Sequence, residues 1–232
     1  MKEIYTYYNE NSSTREYDFI EINMTGNTSS KKEVISHSGV LLKKFKEEFP
    51  KCFEKSIVMG EMRELQISAK DIITNIQSMY EIAQEKAIKF KNKLQIFIHM
   101  GTYPGSHKII LEKVARNFAS FASDEDGYKA NNIKIIENIP LNHQIHSAVP
   151  IDIIFNKLYE IFPNRTNDLK VGIEPGQFMC NYTYYLSLSK SYHLGIPSLL
   201  IHIPTFEEIS IDDQFMFVRS IINILSEYYL KK

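Results

Sequence analysis

The chain has 232 residues, 27 basic and 28 acidic side chains and a net charge of −1. That balance excludes the strongly basic surface of a nucleic-acid binder and gives no electrostatic attachment to an anionic membrane. No apolar run reaches the ~18 residues of a membrane span, and the length favours one sizeable domain that buries roughly 70–75% of its unfolded surface without a staple.

The polar start, "MKEIYTYYNENSSTREYDF", lacks the apolar stretch of a secretory signal. A cytoplasmic setting follows as the expectation, with Cys52 and Cys180 as reduced thiols. The Asn-x-Thr triplet at 181–183 then carries no glycosylation meaning. Residues 1–16 offer little to pack and are expected to be loose, with 17–232 forming a single domain.

In chain order, "YDFIEINMTG" (17–26) reads as a strand running into a glycine turn. Residues 32–49 place Val34, Ser38, Leu41, Leu42, Phe45 and Phe49 at helical spacing, and "KKFKEE" is its solvated face. A short strand is predicted over 56–65. Residues 69–90 put Ile72, Ile76, Met79, Ala83, Ala87 and Phe90 on one helix face. "LQIFIHM" (94–100) is a buried strand that feeds the loop "GTYPG". Residues 102–146 show one short element near 108–116, read as helical around Glu112, and then a polar irregular stretch. A helix over 147–162 carries Pro150 near its first turn. A strand over 169–175, a helix from Cys180 closed by Gly195, a strand over 196–204 and a last helix over 211–230 complete the chain. The basic end, Lys231 and Lys232, suits a helix C-terminus.

Strands alternating with helices of this length predict an α/β fold: a three-layer α/β/α sandwich around a mostly parallel sheet. Ligands in such folds bind beyond the C-terminal strand ends. "GTYPG", "EPGQFMC" and "HIPT" are expected to gather at one rim.

Cys180 opens a helix, where unpaired N–H groups and the helix dipole favour thiolate and can hold an oxyanion. His202 ends the following strand, placed to take the thiol proton. A carboxylate would orient that imidazole, and spacing alone does not choose among Glu112, Glu174 and Glu207. Taken singly, a buried cysteine and a histidine in "LLIHIP" are ordinary core residues. His143 and His146 have two residues between them and no third metal ligand, so no metal is expected. Cys52 reads as a structural thiol, and Tyr184 and Tyr185 as core.

Together, "PGQFMCNYTYYLSL" and "LLIHIP" resemble the pyroglutamyl peptidase I family, the pyrrolidone carboxyl peptidases. The resemblance rests on Gly176, Phe178, Cys180, Asn181, Tyr184, Tyr185, His202 and Pro204, with 22 positions from Cys180 to His202. "IHMGTYPGSHKIILEKVARN" is similar to the family's strand-loop segment and puts Glu112 and Asn117 on its glutamate and accompanying asparagine. "SAVPIDIIFNKL" resembles the family's helix before the cysteine strand. The likeness covers residue 94 to the end, about 60% of the chain.

The resemblance implies a single α/β/α domain and a cysteine-type exopeptidase that removes N-terminal pyroglutamate without metal or cofactor. Cys180 would be the nucleophile, His202 the proton carrier and Glu112 its orienter. Phe178, Asn27, Gly101 and Asn117 would line the substrate site. The implied partners are peptides with N-terminal pyroglutamate, not nucleic acid or membrane, and the enzyme would act as a monomer or a homo-oligomer. Departures lie at Ala115 and Arg116 after the glutamate, at Pro175 on the approach to the cysteine, and chiefly in "MTGNTSS" (24–30). Thr25 and Gly26 fit the family's "TGFGPF", but Asn27 and Ser30 stand where phenylalanines wall the lactam pocket. A related cysteine amidase for another small acyl group, or a non-catalytic peptide-binding domain, are the alternatives.

Overall fold

The protein is described here by a computed structural model that covers residues 17–31 and 35–230. Residues 1–16, 32–34 (Val34 among them), Lys231 and Lys232 lie outside the described residues.

The elements are β1 (Phe19–Thr28), α1 (His37–Cys52), β2 (Ile57–Gln66), α2 (Ala69–Lys89), β3 (Lys93–Thr102), β4 (Ile109–Glu112), β5 (Val114–Arg116), β6 (Ala119–Phe121), β7 (Ala130–Ile133), β8 (Gln144–His146), α3 (Ile151–Ile161), β9 (Leu169–Gly172), α4 (Met179–Leu194), β10 (Ser198–Ile203) and α5 (Ile211–Tyr229). Six strands form one sheet in the order β2-β1-β3-β10-β4-β9. β2, β1, β3 and β10 are mutually parallel, whereas β4 pairs antiparallel with β10, and β9 runs parallel to β4. Two small antiparallel ribbons, β5-β8 and β6-β7, lie outside this sheet.

Alternation along the strands makes the layers. Ile20, Ile22 and Met24 of β1, Ile96, Ile98 and Met100 of β3, and Leu199, Ile201 and Ile203 of β10 share one core with α1, α3 and α5. Phe97 on the opposite face joins α2 and Met179 and Tyr182 of α4. Leu200 packs there with Ala115, Tyr184, Tyr185 and Leu188. The architecture is the three-layer α/β/α sandwich with a mostly parallel sheet that the alternation of elements predicts.

Several boundaries shift, each for a local reason. β1 does not turn at Gly26 but pairs on through Thr28, because Gly26 lets the chain pass against the Ser38 carbonyl where a Cβ would collide. α1 begins at His37, and its buried stripe is Ser38, Leu41, Leu42, Phe45 and Phe49. Phe90 is exposed rather than buried, as α2 ends at Lys89 and the ring turns to the ammonium groups of Lys89 and Lys93. Pro150 caps α3 from outside it. The segment 102–146, expected to be largely irregular, holds five short strands. Glu112 stands on one of them, β4, and not on a helical turn.

The α4-facing side of β1 is polar. Glu21 is 3% exposed, and its carboxylate meets Lys86 at 2.7 Å and Lys93 at 2.9 Å. Burial raises the Glu21 pKa, and the two ammonium groups outweigh it and pull it below 4.5. A depressed carboxylate pKa stabilises the fold above the unfolded value, and that stability is lost as pH falls through the folded one. Glu21→Gln should therefore cost about 1–3 kcal/mol near neutral pH in urea denaturation. The gap from the parent protein should close as the pH is taken below 4.5.

Candidate active site

Register brings the site together. Gly26 of β1 pairs with Met100 of β3, which sets Asn27 beside Gly101, and Gly101 pairs with His202 of β10. His202 is opposite Ile110 of the antiparallel β4, and Leu200 is opposite Glu112. Glu112 is thus a diagonal neighbour of His202 on the same face, within reach of a long side chain. The His202 Nδ1 to Glu112 Oε1 distance is 2.9 Å.

The thiol arrives from the helix layer. α4 starts at Met179, so Cys180 lies in its first turn, where main-chain N–H groups lack intrahelical acceptors. A Cβ on Gly101 would stand 2.6 Å from Cys180 Sγ and 3.3 Å from His202 Cδ2. Only a glycine leaves room there for sulfur and imidazole together. The expected gathering of three strand ends holds for β3 and β10. β9 runs the other way, because it is parallel to β4, and its end is not at that rim. The connection 173–178 carries the chain back to Cys180, with Gly176 at φ 83° making the left-handed bend.

His202 is 5% exposed and Glu112 is 1% exposed. Burial pushes the imidazole pKa down, but negative charge at Cys180 and at Glu112 and hydrogen bonds to both raise it from 6.5 to about 10. Glu112 Oε2 is buried without a partner, and it faces Gly172, where a Cβ would collide with the carboxylate. The Tyr103 ring, from "GTYPG", lies 5.5 Å from the His202 ring.

The other anticipated residues have distinct settings. Phe178 is 40% exposed just before α4 and meets Phe121 edge-on at 5.1 Å. Asn27 is half-buried, its N–H donating to Ser38 Oγ at 3.1 Å and its carbonyl accepting from Ser36 Oγ. Asn117 is fully buried beneath the 134–140 loop. Its Oδ1 accepts from the Ile135 and Ile136 N–H groups at 2.8 Å, and its Nδ2 donates to the carbonyls of Ile136, Ile139 and Pro140. Its amide is thus spent on the loop that it holds. Asn181 does similar work next to the thiol, bridging to Arg116 and Phe118 main chain at 2.8–2.9 Å. Tyr184 and Tyr185 are fully buried, the first donating to the Glu112 carbonyl at 2.8 Å. His143 meets the Tyr185 hydroxyl at 3.0 Å. Among the described residues no cluster of three potential metal ligands occurs, and both cysteines are free.

Sequence reasoning passed over His99. It is buried two residues before Gly101, with Nδ1 2.8 Å from Thr25 Oγ1 and Nε2 2.7 Å from Ser187 Oγ. Burial lowers its pKa to about 3, so it stays neutral. The available signal was its place on the same face of β3 as Gln95, another polar residue in an apolar strand.

The sequence pattern of the family described as pyroglutamyl peptidase matches residues 52–224. The chain belongs to the pyroglutamyl peptidase family. It is 33% identical over 123 residues to the pyrrolidone-carboxylate peptidase of Pyrococcus furiosus, covering 52% of this chain and 56% of that one. It is 26% identical over 136 residues to the enzyme of the same name from Oceanobacillus iheyensis, covering 57% and 65%. The chain therefore matches less than two thirds of the length of either relative. The fold is similar to that of the pyrrolidone carboxyl peptidase of Fervidobacterium islandicum AW-1, with a TM-score of 0.73, 24% identity and coverage of 90% of this chain and 99% of that one.

A histidine with a folded pKa above its unfolded one stabilises the protein fully below about 6.5, and this is lost as pH rises towards about 10. In a histidine-ring NMR titration His202 should thus titrate well above 6.5. Glu112→Gln should bring His202 down, because it removes one of the two negative neighbours.

Proposed function

We propose that the protein is a cysteine exopeptidase that removes N-terminal pyroglutamate from peptides through Cys180, His202 and Glu112, with 17–232 as its catalytic domain. The observation that carries this reading is the closeness of a thiol, an imidazole and a buried carboxylate around Gly101. Membership of the pyroglutamyl peptidase family supports the substrate.

In this mechanism the Cys180 sulfur attacks the carbonyl of the pyroglutamyl amide, and His202 holds the thiol proton. The first N–H groups of α4 face the developing oxyanion. Collapse breaks the C–N bond, and His202 gives its proton to the leaving amine. Water then attacks the thioester, His202 takes a proton from it, and the thiol leaves with that proton restored. Glu112 holds the Nδ1 side of the ring, so that the other nitrogen is directed at sulfur and leaving group. Phe178 offers an apolar face to the lactam, and Asn27 lies across from it beside Gly101.

Asn27 and Ser30 in place of aromatic walls favour a second reading, a small acyl group more polar than pyroglutamate. Each lost aromatic contact weakens lactam binding by roughly tenfold to a hundredfold. Asn27→Phe should then lower the KM for a pyroglutamyl substrate, and an unchanged KM would remove Asn27 from the pocket wall.

Release of aminomethylcoumarin from its pyroglutamyl amide, with and without a thiol alkylator, tests the main reading. We expect alkylator-sensitive turnover. Cys180→Ala and His202→Ala should abolish it in folded protein, and Glu112→Gln should leave about 1% or more, since orientation alone is worth about 10². Full activity in Cys180→Ala would sink the mechanism. No turnover in folded, reduced protein would move the substrate to another acyl group.

A further inference from the structure

The turn 123–128, Ser-Asp-Glu-Asp-Gly-Tyr, joins β6 to β7 and carries three consecutive carboxylates with separate partners. Asp124 closes the turn, its Oδ1 accepting from the N–H groups of Asp126 at 3.0 Å and Tyr128 at 2.8 Å. Its Oδ2 accepts from the Ala69 N–H at 2.9 Å, at the start of α2. Asp126 accepts from the Ser68 hydroxyl at 2.5 Å, and the Glu125 N–H donates to the Ile67 carbonyl at 2.9 Å. The turn is therefore fixed to the β2-α2 junction before the Glu125 side chain is considered.

That side chain reaches across to the segment after Asn27. Glu125 Oε1 accepts from Ser29 Oγ at 2.5 Å, and Oε2 accepts from the Ser30 N–H at 2.9 Å. Both carboxylate oxygens are engaged by adjacent residues, which fixes orientation as well as distance. Ser29 Oγ in turn accepts from the Lys31 N–H at 3.1 Å. The same ribbon holds the opposite wall. Phe121 packs edge-on against Phe178, and the Ser120 N–H donates to the Gln177 carbonyl at 3.0 Å. One ribbon thus grips the chain on both sides of Gly101: 29–30 through a carboxylate, 177–178 through a ring and a main-chain bond.

We propose that Glu125 is a positioning residue for substrate binding, latching the 27–31 segment at a set separation from Phe178 and so fixing the width of the acyl pocket beside Gly101. This rests on the reading of the site as an acyl-transfer centre. Glu125 touches none of Cys180, His202 or Glu112 in the bonding described, so its removal should act on substrate affinity and not on the chemical step. Ser29 and Ser30, which stand in the departing part of the pocket loop, acquire a purpose by this account. They hand the loop's position to a carboxylate where aromatic packing is missing.

The test is steady-state kinetics of pyroglutamyl-aminomethylcoumarin hydrolysis by Glu125→Ala, Glu125→Gln and Ser29→Ala, with thermal unfolding alongside. Glu125→Ala should raise KM about tenfold, the scale of losing a charge-assisted pair of bonds at a half-open site, with kcat within about twofold. Glu125→Gln, which keeps one acceptor and the side-chain length, should recover much of that loss, and Ser29→Ala should fall between. An unchanged KM, or a fall in kcat alone, overturns the proposal. Should the parent protein release no coumarin, the pyroglutamyl reading fails separately. Hydrogen exchange then decides the latch: faster exchange over 27–31 in Glu125→Ala, with 177–182 unaltered, supports it, and unchanged exchange over 27–31 overturns it.

Discussion

Glu112 and His202 are both withdrawn from water in the middle of a sheet, and the charge of each is tolerable there only because of the other and of the nearby thiol. Removing an ionised carboxylate from water costs several kcal/mol unless a partner compensates. Here the partner is an imidazole whose pKa is raised despite burial. The compensation is incomplete on one side, since Glu112 Oε2 has no partner. A site with such a cost must be enforced by its surroundings. Two glycines do much of that enforcement. Gly172 leaves space for the carboxylate, and Gly101 leaves space for the sulfur. Neither has a positive φ. Their purpose is the absence of a side chain, not backbone freedom.

The rest of the layer facing α4 extends the same logic. A parallel sheet covered on both faces is usually apolar on both. In this protein one face is apolar along β1, while the other carries Glu21, Asn23 and Thr25 in alternation. Each is matched across the sheet or to a helix: Glu21 to Lys86 and Lys93, Asn23 to Gln95, and Thr25 to His99. His99 passes the chain of contacts to Ser187, which lies 2.8 Å from both Tyr80 and Ser198. α4, which delivers Cys180, is therefore held to the sheet by directional bonds as well as by packing. Such bonds fix rotation and register along the helix axis, which apolar contacts alone tolerate poorly defined.

The long helices and the strands β1, β3 and β10 were legible because each satisfies one period over enough residues to exclude the other. The helix opening at Cys180 and its Gly195 stop were legible from chemistry at the ends. Glu112 was not placed correctly. "IILE" is too short to show a period, and what makes it a strand is pairing with Leu200 and Gly172, some 60 to 90 positions away. The direction of β9 was hidden for the same reason. It depends on β4 having reversed, which no local signal records. His99 was missed because a lone histidine in an apolar strand is identical, in sequence, to one with no role. The choice of Glu112 as the carboxylate beside His202 became readable only through the family likeness, since spacing left three glutamates equal.

The departures from family pattern spare Cys180, His202 and Glu112, and the fold explains how the "MTGNTSS" loop can vary separately from these three. Cys180, His202 and Glu112 are positioned by α4, β10 and β4, whose registers are set by buried pairs. The 27–31 segment runs from the last paired residues of β1 out of the sheet and is held from outside, at Ser36 and Ser38 on one side and Glu125 on the other. On the proposed reading, a change of side chain at Asn27 or Ser30 therefore alters what would touch the acyl group without disturbing the register that joins thiol to imidazole. Under the proposed mechanism, binding and chemistry are thus carried by different constraints: substrate preference can move along the loop while the arrangement of thiol, imidazole and carboxylate stays with the sheet.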